Sequence, residues 1–241
     1  MRAVLCGANG AMGKLIDGIL GAEVAGRVSI DGENNVPKTF EELGACGADV
    51  VIDFSHHNAA ADVLRYAKAQ GCAAVIGTTG HTPEEKEMIY AAAKEIPVFY
   101  SGNMSLGIAV LRKLAKEAAG YFPDADIEIV EVHHNRKVDA PSGTALMLFE
   151  SVKEVRPQAK AHCGRAGEGK RQKDDIGISS LRLGSVVGVH EVHIHTGTQS
   201  LTLRHEAVTR GMLADGGVEA ARFILGKAPG LYTMQDLLEE G

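Results

Sequence analysis

Apolar positions in the first hundred residues fall into short runs separated by amphipathic stretches. Residues 3–6 form an apolar run that ends in glycine, and residues 14–20 space their apolar side chains as a helix does. Residues 24–30 predict a second strand. Residues 50–54 (VVIDF) are continuously apolar up to the aspartate, the mark of a strand buried on both faces. A helix over 59–70 and a strand over 73–76 follow. A helix over 83–94 has Thr82 as N-cap, Pro83 at its first position, and Glu84 and Glu85 in its first turn. Residues 98–100 form the next strand. Strands alternating with helices predict a parallel sheet covered on both faces.

Near residue 105 the pattern changes. Residues 108–119 predict a helix, 127–133 a strand, and a further helix begins at 142–144. Residues 177–209 read as strands with tight turns. Within them, 190–195 (HEVHIH) alternates, 196–199 turns, and 201–203 alternates back, which predicts an antiparallel hairpin on an open sheet. Residues 213–225 are helical, stopped by Gly226 with Pro229 beyond.

Composition narrows the picture. The 241 residues suffice for one large domain or two small ones. A formal net charge of −6 argues against a nucleic-acid partner, which would want a basic face. The cluster Lys170, Arg171 and Lys173 reads as a solvated loop. No apolar run approaches the ~20 residues that cross a membrane, so no membrane partner is expected. The opening MRAVLCG breaks into glycines and reads as a first strand rather than a leader. Cys6, Cys46, Cys72 and Cys163 lack CxxC spacing, and Cys163 stands in a glycine-rich loop. Reduced thiols and a cytoplasmic location are expected.

Gly7-Ala8-Asn9-Gly10-Ala11-Met12-Gly13 lies between the first strand and the first helix. Its glycines let the backbone turn tightly and approach a pyrophosphate, and the helix N-terminus offers free N–H groups. Asp31, at the end of the next strand, suits the ribose hydroxyls of a dinucleotide. Asp53-Phe54-Ser55 and Gly77-Thr78-Thr79-Gly80 end two further strands and are expected to face the same crevice. An ordinary turn would explain GTTG equally well.

The segment Glu131-Val132-His133-His134-Asn135-Arg136-Lys137-Val138-Asp139-Ala140-Pro141-Ser142-Gly143-Thr144 carries the chemistry. Two histidines and a lysine near a strand end offer protons and positive charge. Ser142, Gly143 and Thr144 open a helix whose hydroxyls and N–H groups suit a carboxylate. Adjacent strand histidines point to opposite faces, so one of His133 and His134 is often structural. No metal is expected: HExxH spacing is absent, and His193 and His195 read as polar covering on one strand face. A dehydrogenase of another small carboxylate remains an alternative, but no cysteine stands in the context it would need. A dinucleotide-sensing module would keep the glycine turn without needing HHNRK and SGT.

The segment EVHHNRKVDAPSGTA closely resembles the E-x-HH-x-x-K-x-DAPSGTA signature of the 4-hydroxy-tetrahydrodipicolinate (dihydrodipicolinate) reductase family. GANGAMG, DFS, GTTG, SGNMSLG (101–107), IGISSLRLGSVVGVHEV (176–192) and GLYTMQDLL (230–238) agree in order along nearly the whole chain. The resemblance implies an α/β fold. A Rossmann-like parallel-sheet dinucleotide-binding domain is expected over 1–104 and 212–241. A second α+β domain with an open mixed sheet, for substrate binding and oligomerisation, is expected over 105–211. It implies hydride transfer to the small cyclic dicarboxylate formed from aspartate semialdehyde and pyruvate, giving tetrahydrodipicolinate for diaminopimelate and lysine. It implies that Gly7, Ala8, Asn9, Gly10, Ala11 and Met12, then Gly77, Thr78 and Thr79, then Ser101, Gly102, Asn103 and Met104 line the cofactor. His133 is implied as proton donor or acceptor, Lys137 as a second donor, and His134, Gly143 and Thr144 as substrate contacts. A homotetramer built through the second domain's sheet is also implied.

Two departures stand out. Many members carry Arg after the acid at the second strand, where it would pair with the 2′-phosphate of NADP; here Gly32 follows Asp31. NADH is therefore favoured over NADPH, with Lys38 close enough in sequence to blunt the preference. Leu183 replaces a glycine expected in an R-G-G run and has no functional reading.

Overall fold

The computed structural model describes residues 1–240. The chain divides into two compact units, one of residues 1–106 with 211 onward, the other of residues 107–210.

Unit 1 is built on a six-stranded sheet in the order β11-β5-β4-β3-β1-β2. Its strands are β1 (Ala3–Cys6), β2 (Val24–Val28), β3 (Val50–Asp53), β4 (Ala73–Ile76), β5 (Pro97–Tyr100) and β11 (Gly230–Tyr232). Every pairing is parallel. Strands β1, β3 and β4 are buried along their whole length, which is why their sequences are apolar without alternation. The helices are α1 (Ala11–Leu20), α2 (Phe40–Leu43), α3 (Ala60–Gln70), α4 (Pro83–Ala92), α7 (Gly211–Ile224) and α8 (Met234–Glu240). Val98 joins the core formed with Val63 and Leu64 of α3 and Ile89 of α4. Its neighbour Phe99 meets Phe223 of α7 edge-on, so helices cover both faces of the sheet. Thr82 caps α4, as the sequence predicts, and Glu85 returns a bond to its N–H to complete a reciprocal box.

Unit 2 holds a five-stranded mixed sheet in the order β10-β9-β6-β8-β7. Its elements are α5 (Leu106–Tyr121, with Leu106 belonging to unit 1), β6 (Asp126–His133), α6 (Gly143–Lys153), β7 (Lys160–Cys163), β8 (Asp175–Arg182), β9 (Gly188–His195) and β10 (Ser200–Ala207). Strands β9 and β10 form the expected antiparallel hairpin, β9 runs antiparallel to β6, and β6, β8 and β7 run parallel. One face, with Ile127, Ile129, Ile178 and Val192, packs on Leu111 of α5 and Leu148 and Phe149 of α6. The other face presents Glu128, Val130 and Val132, all half-buried.

Several expectations need correction. Strand β2 stops at Val28, so Asp31 lies in the following turn rather than at the strand end. Helix α1 starts at Ala11 because Gly10 already serves as its N-cap. Cys163 ends the edge strand β7 instead of lying in a loop, although its side chain is exposed. Arg171 is not simply solvated: it pairs with Asp126 at 2.7 Å and donates to the Asp175 carbonyl. The short elements α2, β7, β11 and α8 carry too few residues for periodicity to announce them. Among the described residues, no helix is long and apolar enough to cross a membrane.

Candidate active site

In unit 1 the first strand runs into Gly7, whose φ of +82° belongs to the left-handed region. A Cβ there would also stand 2.6 Å from the Phe54 carbonyl oxygen. The turn closes when Gly10 N–H donates to the Gly7 carbonyl at 2.9 Å. At Gly13 a Cβ would lie 2.2 Å from the same carbonyl oxygen, so only glycine lets α1 sit this close to the turn. No side chain caps the start of α1. Uncapped N–H groups at a helix start, over a cradle that any Cβ would fill, fit a pyrophosphate.

Asn9 ties this turn to the turn that follows β2. Its amide donates to Asp31 Oδ1 at 2.5 Å and to the Glu33 carbonyl at 3.1 Å. The bonds from Asn9 and from Glu33 N–H hold the Asp31 carboxyl below its usual range. A cleft of about 670 Å³ opens beside it. Of the residues expected to contact the cofactor, Gly7, Gly10 and Asp31 line this cleft. Lys38, Phe40, Phe54, Ser55 and His56 complete much of its wall. Their contribution depends on the fold, and only Lys38, Phe54 and Ser55 drew notice in the sequence. Gly32 has φ +63°, and a Cβ on it would come within 2.4 Å of Lys38 Cε, so the lysine stem lies across this glycine.

Of the two further strand ends, the first reaches the cleft through Phe54 and Ser55, but its aspartate does not. Asp53 is fully buried and does not face the cleft. Ser55 Oγ donates to its carboxylate, and burial pushes the carboxyl up. Thr78 Oγ1 accepts from Ser55 N–H at 2.9 Å, which joins the two strand ends. The Phe54 ring fills the space over Gly77 and over Gly217 of α7, where Cβ atoms would meet it at 2.4 and 2.9 Å. Ser101 Oγ donates to the Asn103 carbonyl and accepts from its N–H, so this loop is shaped by its own side chains. Met104 is buried, and its carbonyl occupies the place of a Gly216 Cβ. Ala8, Asn9, Ala11, Met12, Thr79 and Gly102 line no part of the cleft described above.

Unit 2 holds the charged residues. Alternation along β6 turns residues 127, 129, 131 and 133 to the covered face. Glu131 is fully buried there. Its Oε2 accepts from His133 Nδ1 at 2.5 Å and from Arg182 at 2.9 Å; its Oε1 accepts from Arg182 at 2.9 Å and from Ser142 N–H at 3.1 Å. Burial raises the Glu131 carboxyl, but the bonds from Arg182 and His133 outweigh it and hold it near 2. Ser142 caps α6 by accepting from Ala145 N–H, and its hydroxyl meets His190 Nε2 at 3.2 Å. Burial and the His133 charge pull His190 down to about 4.

After β6 the chain turns at His134, whose carbonyl accepts from Lys137 N–H at 3.1 Å. Leu183 has a backbone part in this turn: its N–H donates to the His133 carbonyl at 2.7 Å. Lys137 Nζ pairs with Asp139 at 2.8 Å and keeps a fifth of its side chain exposed. Burial and the charges of Arg136 and Arg210 pull His134 down. His133, His134, Lys137, Ser142, Gly143 and Thr144 thus gather where β6 ends and α6 begins. The sequence missed the partners Arg182, Gly188 and His190, because they arrive through strand register. Glu131 carried no expected role, although its two-residue spacing from His133 puts both on one strand face.

The chain matches two family models, "Dihydrodipicolinate reductase, N-terminus" over residues 1–104 and "Dihydrodipicolinate reductase, C-terminus" over 107–238. It is 40% identical over 250 residues to a 4-hydroxy-tetrahydrodipicolinate reductase of Caldanaerobacter subterraneus subsp. tengcongensis, covering 100% of this chain and 99% of that one. It is 41% identical over 242 residues to the enzyme of Alkaliphilus oremlandii, covering 99% and 98%. Among solved structures, a dipicolinate-bound dihydrodipicolinate reductase from Paenisporosarcina aligns with TM-score 0.80 and 25% identity over 97% of both chains.

Proposed function

Because the chain belongs to the dihydrodipicolinate reductase family, it is an NAD(P)H-dependent 4-hydroxy-tetrahydrodipicolinate reductase of diaminopimelate and lysine biosynthesis, and we propose that His133 and Lys137 supply its proton and its positive charge. One observation carries this reading: a single buried carboxylate bonds both the His133 ring and the residue that caps α6. A proton-bearing ring is thereby held beside a helix N-terminus suited to a carboxylate.

The cofactor supplies a hydride. The glycine turn from Gly7 to Gly13 binds its pyrophosphate, and Asp31 accepts from the adenosine ribose. The same carboxylate opposes a 2′-phosphate, which favours NADH, while the Lys38 ammonium offers such a phosphate a counter-charge. Gly77, Thr78, Thr79 and the loop from Ser101 to Met104 shape the rest of the cofactor site. Unit 2 takes the cyclic dicarboxylate. N–H groups at the start of α6, with Ser142, Gly143 and Thr144, anchor one carboxylate, and His134 and Lys137 add donors. The 4-hydroxyl leaves as water, His133 delivers the proton that accompanies the hydride, and Lys137 offsets developing negative charge. The half-buried sheet face with Val130 and Val132 supports association of unit 2 with further copies as a homotetramer. A cytoplasmic location suits a biosynthetic reductase of this kind.

His133→Gln keeps size and some hydrogen bonding but carries no proton. We expect kcat to fall by ~10²–10⁴ with KM little changed. Lys137→Met should damage both constants, and Lys137→Arg should recover KM better than kcat. Dipicolinate, the ligand of the Paenisporosarcina enzyme, should compete with substrate. A folded His133→Gln enzyme turning over within a few-fold of wild type would remove the assignment.

A further inference from the structure

We propose that Glu131, clamped by Arg182, is a positioning residue that fixes the orientation and tautomer of His133 and sets the start of α6 against it. The inference rests on the reading of His133 as proton donor. Glu131 has no exposed surface, and its carboxylate receives donors from three directions: His133 on its own strand, Arg182 on β8 and Ser142 at the α6 cap. Arg182 lies opposite His133 in the parallel β6–β8 register and reaches back to grip both oxygens of Glu131. The same guanidinium donates to the Asp139 carbonyl at 2.6 Å, so it also secures the segment carrying Lys137.

Three consequences follow from the geometry. A carboxylate bound by a bidentate arginine is ionised and can only accept. The shared proton with His133 therefore resides on Nδ1, which leaves Nε2 as the working end of the ring. Second, Nε2 sits against Gly188 of β9, where a Cβ would approach it to 3.1 Å. A side chain at 188 would crowd that nitrogen. Third, ring and helix share one anion, so a shift of Glu131 displaces the proton and the carboxylate-binding N–H groups together. His190 on β9 meets the His133 ring edge-on at 5.1 Å, and Arg182 reaches the ring only through Glu131. Glu131 is the one that bonds the ring directly.

A double-mutant cycle on the full-length enzyme tests this. Wild type, Glu131→Gln, His133→Gln and the double variant are compared in kcat and KM, with NADH affinity measured by fluorescence. Glu131→Gln should lower kcat about 10- to 100-fold, by more than it changes KM, and leave NADH affinity within a few-fold. In the His133→Gln background the same change should lower kcat less than about three-fold, because the group it acts through is gone. The ¹⁵N signals of His133 should report protonated Nδ1 in the wild type and lose that pattern in Glu131→Gln. Should Glu131→Gln fail to fold, Glu131→Asp replaces it in the cycle, since it keeps Arg182 paired but withdraws the oxygens by one methylene. If His133→Gln is crippled and the Glu131 change costs the same factor with and without His133, the clamp is refuted while the proton donor stands. If His133→Gln turns over normally, both fall.

Discussion

Each unit buries a carboxyl completely, and the two respond in opposite directions. Asp53 in unit 1 is met by neutral donors, Ser55 above all, and burial pushes it up. Glu131 in unit 2 is buried as deeply, yet Arg182 holds it near 2. Burial alone therefore does not decide the charge of a group; the charge of its neighbours does. The difference extends to the sites. Unit 1 makes its anion cradle from backbone freed of side chains, at Gly7, Gly10 and Gly13. Unit 2 makes its site from ionised side chains that must remain paired.

The largest effect should come from breaking the pair. Arg182→Met leaves Glu131 buried without its cation, and we expect a loss of about 3–5 kcal/mol in urea unfolding. Asp53→Asn, which removes no charge partner, should cost less than about 1 kcal/mol. Similar losses from both substitutions would abolish the contrast between the units.

A smaller effect concerns pH. Folded His190 sits near 4 against an ordinary 6.5, with burial first and His133 second as causes, and His205 and Lys137 adding repulsion. The unfolded chain thus binds this proton more readily. Stability is lost as pH falls from about 6.5 toward 4, by up to about 3 kcal/mol. The depressed Glu131 acts at lower pH: its contribution is present above about 4.5 and lost toward 2. His190→Gln should flatten the first slope in thermal unfolding and leave the second. An unchanged slope between pH 6.5 and 4 would show that His190 does not control it.

The smallest effect belongs to the exposed Asp31 and its neighbour Lys38. Gly32→Arg would seem the way to recruit NADPH. The left-handed backbone and the Lys38 stem over Gly32 make that substitution strained. Lys38→Met is the cleaner change, and it should shift the ratio of kcat/KM for NADPH and NADH toward NADH by up to about ten-fold. A shift toward NADPH would exclude Lys38 as the phosphate partner.

The sequence made most of the fold legible where a signal is local. Continuous apolar runs announced β1, β3 and β4, alternation announced the β9–β10 hairpin, and Thr82-Pro83 announced α4. Helix α2 was silent because one turn establishes no period, and β7 because its four residues are all exposed and form no apolar run. In the site, the glycine turn, His133, Lys137 and the SGT start of α6 were readable because each lies in one continuous segment.

What the sequence determined by itself is therefore the inventory: a glycine turn after a first strand, an acid after the second, and histidines and a lysine ahead of a helix cap. Which of these residues act together was decided only by the tertiary structure. Register between β6 and β8 brings Arg182 to Glu131, fifty-one residues away in sequence, and register with β9 brings His190 and Gly188 to His133. Packing of Phe54 over Gly77 and Gly217 ties an apparent ligand loop to α7 at the wall of the cleft. The physical reason is that charge state and proton position depend on which groups lie within a few ångströms, and strand pairing sets those distances between residues far apart in sequence.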